Sequence, residues 1–286
     1  MADPPARVWV KFKAGSEEAL STARRVIRAL ETRGVKAYAD PLLATLLEMR
    51  DKALREDELS DIDMVIVVGG DGTLLRLFHS VGEDLPPILG VNSDRIGFLF
   101  DYDWRFVEEL IDKIVSGNYI VEHRSVGEAT LEEGPSYRFI NEVVISSYKT
   151  FKMISLEVCI DNERLYSGRM DGVIISTTTG STAYALSAGG PLVDPHLDVI
   201  VVVPIVPFSP LLKPVILAPQ RRVLVRLFKD GILAFDGIET VQAPAESEIK
   251  VKLRPGGLRL VRVPGGHTLE RKVKSRLLDL PPWSLE

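Results

Sequence analysis

Between an apolar run and a helical pattern, the chain places three glycines and one carboxylate, Gly69-Gly70-Asp71-Gly72-Thr73. Glycine lets a ligand approach the backbone closely. A helix start behind the glycines offers unpaired N–H groups and a positive dipole end, which together seat phosphate. No G-x-x-x-x-G-K-[ST] occurs, and Leu75 stands where a dinucleotide fingerprint needs its third glycine. What remains is a phosphate cradle with an anion planted in it. Glycine and aspartate also serve plain strand-to-helix turns. An anion that repels phosphate makes chemical sense if it takes a proton from an attacking hydroxyl or helps hold a metal.

A second group lies further on. Asp171-Gly-Val-Ile-Ile-Ser-Thr-Thr-Thr-Gly180-Ser-Thr-Ala-Tyr184-Ala-Leu-Ser187-Ala-Gly-Gly190 runs from a strand through a hydroxyl-rich turn into a short helix. The hydroxyls can cap that helix. The aromatic Tyr184 and the small residues after it also suit a pocket for a flat base. Asn141-Glu142 interrupts an otherwise apolar strand. One of these two side chains must face the core, where it would cost a few kcal/mol if unpaired.

Gly-Gly-Asp-Gly-Thr resembles the signature shared by NAD kinases, the diacylglycerol and sphingosine lipid kinases, and phosphofructokinases. Asn92, Ile96-Gly97-Phe98-Leu99, Asn141-Glu142, Asp171-Gly172, the Gly180–Gly190 run and Asp236-Gly237 narrow the resemblance to the NAD kinase family, in the family's order along most of the chain. That resemblance implies transfer of the γ-phosphoryl of ATP, or of another donor, to the 2′-hydroxyl of the adenosine ribose of NAD, giving NADP. It implies a divalent cation, Mg²⁺, bound with the donor. Asp71 would be the general base, and Gly70, Gly72, Thr73 and Arg76 would contact nucleotide. Asn141 and Glu142 would bind the adenosine and ribose. Thr182, Ala183, Tyr184, Ala185, Leu186 and Ser187 would enclose the adenine. Arg169 and Asp171 would contact nucleotide from a neighbouring subunit of a homodimer or homotetramer, and Val206 would line the pocket. The chain departs from the family pattern at Asp94 (usually Gly), Thr178 (Pro), Val206 (Ala), Phe208 (His) and Lys213 (Arg). Two other readings stand beside this one: a kinase of the same superfamily acting on a lipid hydroxyl, and a non-catalytic NAD sensor.

These residues need elements to hold them. Met64–Val68 reads as a strand buried on both faces, and Leu74, Leu75, Leu77 and Phe78 as a helix beginning near Thr73. Strands are expected at 7–13, 36–39 and 88–92, and helices at 17–34 (capped by Ser16), 41–55 and 104–115. This β-α alternation predicts a Rossmann-like α/β domain over residues 1–118, with ligands at the C-terminal ends of its strands. Period-two patterns at 119–132, 137–147, 153–161, 163–178, 198–206, 222–228, 233–237 and 248–263 predict an all-β sandwich over 119–267. A helix near 268–278 is expected to return to the first domain, which would then include 268–286.

The 286 residues are 45% hydrophobic and 26% charged, enough to bury a large core. A net charge of −5 argues against a broad polyanion-binding surface. No apolar run approaches the ~18 residues of a membrane span. One cysteine, Cys159, excludes an internal disulfide and points to a reducing compartment, so a cytoplasmic location is expected. Four histidines are scattered without metal-ligand spacing.

Overall fold

Short apolar strands joined through helices give the first part of the chain its parallel sheet. The computed structural model describes residues 3–93, 97–132, 134–266 and 268–274. Strands β1 (Arg7–Phe12), β2 (Lys36–Ala39), β3 (Met64–Gly69) and β4 (Ile88–Asn92) alternate with helices α1 (Glu17–Glu31), α2 (Pro41–Leu46) and α3 (Asp71–Val81). A two-residue strand β5 (Tyr102–Asp103) and helix α4 (Val107–Val115) follow. The sheet order is β2-β1-β3-β4, all parallel, with β5 beside β4. Every residue of β3 and β4 is buried, which explains why both read as unbroken apolar runs. Ser16 caps α1 by accepting from Ala19 N–H, and Ala19, Ala23, Val26 and Leu30 turn one face to the core. The predicted helix 41–55 ends at Leu46, because Glu48 turns left-handed (φ 58°) and Met49 N–H closes back on Ala44 O. Only a short 3₁₀ turn at Arg50–Lys52 remains of its second half.

The rest is strands: β6 (Ile120–Leu131), β7 (Ser136–Phe139), β8 (Glu142–Ser147), β9 (Ile154–Ile160), β10 (Glu163–Met170) and β11 (Gly172–Thr177). Then come a 3₁₀ turn (Thr179–Thr182), helix α5 (Tyr184–Ser187), β12 (Ile200–Ile205), β13 (Val215–Leu217), β14 (Val223–Leu227), β15 (Gly231–Phe235), β16 (Glu239–Ala243) and β17 (Glu248–Arg262). Helix α6 (Leu269–Val273) follows, and the last residues of the predicted helix 268–278 lie outside the described residues. One sheet runs β13-β12-β11-β8-β15-β16; the other holds β10-β9-β14-β17, with β6 on β17 and β7 on β6. Val143, Ile145, Val173, Ile175 and Val202 of the first share a core with Leu156, Val158, Val225 and Ile249 of the second.

Two predicted strands each prove to be two. The stretch 137–147 breaks at Ile140-Asn141 and 163–178 breaks at Asp171, and at each break the chain leaves one sheet for the other. Both halves face the common core, so alternation continues across the crossing and hides it. The short strands β13 and β16, and the pair β5, carry too little pattern to be read from sequence.

Packing divides the chain into residues 1–123 with 258–286, and 124–257. The pattern-based borders after 118 and 267 miss these points because β6 and β17 are long strands that run through both borders. In the second unit β17 pairs with β14, and in the first its Leu260 lies beside Ile88 of β4. Residues 258–266 therefore fold with the first unit. The chain thus has a Rossmann-like α/β unit, an all-β sandwich, and a C-terminal helix α6 counted with the first unit.

Candidate active site

Gly70 caps α3, so Asp71 opens the helix two residues earlier than Thr73. Its half-buried carboxylate accepts from two backbone donors in the segment after β4. Phe98 N–H reaches Oδ2 at 2.8 Å and Leu99 N–H reaches Oδ1 at 3.2 Å. Asn92, at the end of β4, shapes that segment: its Oδ1 accepts from Gly97 N–H (3.1 Å) and its amide donates to the Phe100 carbonyl (3.2 Å). Gly97 is required by close approach, since a Cβ there would sit 2.2 Å from Asp71 Oδ1. Thr73 is buried, whereas Gly72 and Arg76 are exposed, and the Arg76 guanidinium lies 3.8 Å from where a Gly72 Cβ would be. Gly70, Asp71, Gly72, Thr73 and Arg76 thus share one strand-to-helix turn at the C-terminal end of the parallel sheet. That is where an α/β sheet offers its ligand crevice. Asp94 and its neighbours Arg95 and Ile96 lie outside the described residues.

In the second unit the two stretches singled out in the sequence come together. Asn141 carbonyl accepts from Thr177 N–H (2.9 Å) and Ser176 Oγ (3.1 Å). Thr177 Oγ1 donates to Ile140 O (2.6 Å) and accepts from Gly180 N–H (3.1 Å). A Cβ on Gly180 would stand 2.1 Å from Asn141 O, so only glycine lets the turn close here. Asp236, in a left-handed turn (φ 51°) after β15, accepts from the N–H groups of Ile140 (2.8 Å), Asn141 (2.7 Å) and Glu142 (3.1 Å). Its carboxylate satisfies the backbone exactly where the chain changes sheets and has lost its ladder partners.

Glu142 is 6% exposed, and among the described residues its Oε2 has no hydrogen-bond partner. Burial, reinforced by the charge of Asp236, pushes its carboxyl up to about 8, against a hydrogen bond from the Tyr184 backbone N–H. Near neutral pH it is a neutral acid able to donate as well as accept, with one oxygen waiting for a partner. Tyr184 itself is 47% exposed, so its ring is available for stacking. Thr182, Ala183 and Leu186 are half-buried and Ser187 is exposed. Ala185 differs: it is fully buried among Ile174, Val193, Val201 and Val203, so its methyl belongs to a small core.

Arg169, Asp171 and Val206 form a third group. Asp171 N–H donates to Ile205 O (3.0 Å), Phe208 N–H donates to Arg169 O (2.9 Å), and the Arg169 guanidinium lies 5.0 Å over the Phe208 ring. Phe208, where histidine is usual, thus gives Arg169 an aromatic face. Register separates this group from Glu142. Ser176 pairs with Glu142 and Gly172 with Ser146, so Asp171 lies roughly 15 Å along the sheet. Within one chain the structure does not join Arg169, Asp171 and Val206 to Asn141 and Glu142. Of the residues now evident around the site, Asp236 was legible as part of a motif, but its role was not. Gly97 was legible in the same way.

Residues 8–119 match the family model for the ATP-NAD kinase N-terminal domain, and residues 140–263 match that for the ATP-NAD kinase C-terminal domain. The NAD kinase of Methanothermobacter thermautotrophicus is 33% identical over 277 residues, covering 96% of this chain and 96% of that relative. The NAD kinase of Alcanivorax borkumensis is 32% identical over 277 residues, with 93% and 91% covered. An NAD kinase from Archaeoglobus fulgidus, solved in complex with ATP, superposes with a TM-score of 0.74 at 28% identity, covering 94% of this chain and 99% of that one. Yeast NADH kinase, solved with NADH, gives a TM-score of 0.87 at 23% identity, with 98% and 89% covered, a likeness of fold. By both domain matches and by identity sustained over nearly its whole length, the chain belongs to the ATP-NAD kinase family.

Proposed function

We propose that the chain is an NAD kinase that moves the γ-phosphoryl of ATP to the 2′-hydroxyl of the adenosine ribose of NAD. The observation that carries this reading is the Asp71 carboxylate, fixed by two N–H donors at the head of α3, beside the helix start that can seat phosphate. Phosphoryl transfer asks mainly for positioning and charge stabilisation. Asp71 takes the proton of the attacking hydroxyl. The backbone N–H of Gly72, with Arg76, holds phosphate oxygens, while the Thr73 N–H closes the turn on Gly70 O at 2.9 Å. Asn141 and the neutral Glu142 hold ribose hydroxyls, and Tyr184 lies against the adenine.

The expected Mg²⁺ fits the residues present. Asp71 brings one carboxylate, and among the described residues no group of three His, Cys, Asp or Glu side chains could hold a metal alone. Mg²⁺ typically binds one or two carboxylates plus substrate phosphates and keeps its waters. When bound with the donor it would neutralise charge on the transferring group.

The separation of Arg169, Asp171 and Val206 from Glu142 favours a homo-oligomer, in which a second copy supplies the third group. Dilution to monomer should then abolish turnover with the fold intact, and a fully active monomer in sedimentation-coupled assays would remove the oligomer from this reading. Cys159, the lone cysteine, suits the expected cytoplasmic location; recovery from a membrane or secreted fraction would contradict it. No helix among the described residues is long and apolar enough to cross a membrane. The test of the activity is turnover with labelled ATP against a panel of acceptors. NADP should form from NAD, and product from a lipid with none from NAD would overturn the proposal.

A further inference from the structure

The two residues that hold Asp71 are themselves held from behind. Lys272 Nζ donates to Phe98 O at 2.7 Å, and Arg262 Nη1 donates to Leu99 O at 3.0 Å. Asp101 joins the two cations: Arg262 Nη1 reaches its Oδ2 at 2.6 Å, and Lys272 pairs with its Oδ1. Arg262 Nε completes the chain on Glu122 at 2.6 Å. All of these residues belong to the first unit.

Phe98 C=O and Leu99 N–H are the two ends of one planar peptide group. Lys272 therefore grips one end of the plane whose other end grips Asp71 Oδ1. A cation on the carbonyl fixes the plane's rotation and polarises the N–H into a stronger donor. Arg262 holds the next peptide, Leu99 C=O to Phe100 N–H, and so fixes the far side of Leu99. The network is deep, with side-chain exposures of 16% for Arg262, 12% for Asp101 and 9% for Lys272. Burial lowers the Lys272 ammonium against the opposing charge of Asp101. Charges taken so far out of water are poor devices for stability alone, because an apolar cluster of similar volume often does as well or better.

We infer that Lys272 and Arg262, linked by Asp101, are positioning residues for Asp71, acting through the Phe98 and Leu99 peptides. This rests on the reading of Asp71 as the base. The experiment is a double-mutant cycle on the full chain, Lys272→Met and Asp71→Asn singly and together, with kcat and both KM values measured. Lys272→Met should lower kcat about 10–100-fold, the scale of a misplaced catalytic group, with each KM within about twofold. In the Asp71→Asn background it should cost nothing further, there being no base left to place. Where Lys272→Met alone fails to fold, the pair Lys272→Met with Asp101→Asn removes both charges of the ion pair and takes its place in the cycle. An unchanged kcat, or the same fold-loss with and without the Asp71 carboxylate, overturns the inference. Full turnover by Asp71→Asn alone would instead sink the base, and this inference with it.

Discussion

Asp71 in the first unit and Glu142 in the second are carboxyl groups treated in opposite ways. Each oxygen of Asp71 meets a backbone N–H. Glu142 is buried with one oxygen unpartnered and a second carboxylate, Asp236, nearby. At Glu142 burial favours the neutral form. The backbone amides that could have served Glu142 are given to Asp236, which accepts three of them. One fold thus serves both oxygens of one carboxyl with backbone donors and leaves an oxygen of the other open among the described residues. The raised value at Glu142 comes first from burial and then from the charge of Asp236.

Replacing the anion is the strongest test of this contrast. Asp71→Asn cannot take the proton and should lose about 10²–10⁴-fold in kcat. From the sequence alone, such an isosteric change would leave stability untouched. With both oxygens engaged, however, the new amide turns an N–H₂ toward Phe98 or Leu99 and strands one donor, a cost of about 1–3 kcal/mol. Chemical denaturation should reveal that loss beside the kinetic one. Normal turnover with only the stability loss would make Asp71 a turn residue.

Removing the neutral acid's proton has a smaller effect, with a sign fixed by its raised value. The unfolded carboxyl titrates near 4.5 and the folded one near 8. Between them the folded state keeps a proton that the unfolded state has lost. The contribution of Glu142 is therefore full below about pH 4.5 and falls as pH rises toward 8. Glu142→Gln carries no titrating proton, so its unfolding free energy should lack this fall, on the order of 4–5 kcal/mol. Equal pH slopes for variant and parent across that window would contradict the neutral-acid assignment.

The smallest effect concerns the exposed ring beside Glu142. Tyr184→Ala removes a stacking surface worth about 1 kcal/mol, roughly a fivefold rise in KM for NAD with kcat preserved. An unchanged KM would take Tyr184 out of the pocket.

Much of this arrangement was legible in the chain. The β3–α3 turn was readable because an unbroken apolar strand, three glycines and a helical pattern are local signals. Asn141-Glu142 was readable as polar residues forced toward a core. What could not be read was long-range: that Asp236 serves the backbone of residues 140–142, that the chain changes sheets there, and that Ala185 faces a core of its own. Nothing near Lys272 or Arg262 in sequence connects them to Asp71, because a side-chain-to-carbonyl bond across more than a hundred residues leaves no periodic trace.

The long strand β17 gives the molecule an order of completion in time. The first unit includes residues from Leu258 onward, so its sheet, its Arg262 and its Lys272 await the tail of the chain. On a ribosome adding about 5–20 residues per second, the roughly 130 residues of the second unit take some 7–26 seconds to appear. Throughout that interval β1 to β4 exist without Leu260 beside Ile88 and without either cation behind the Asp71 segment. The unit that begins to be synthesised first is completed after the other, and the loop at its centre is braced only once Arg262 and Lys272 have been made.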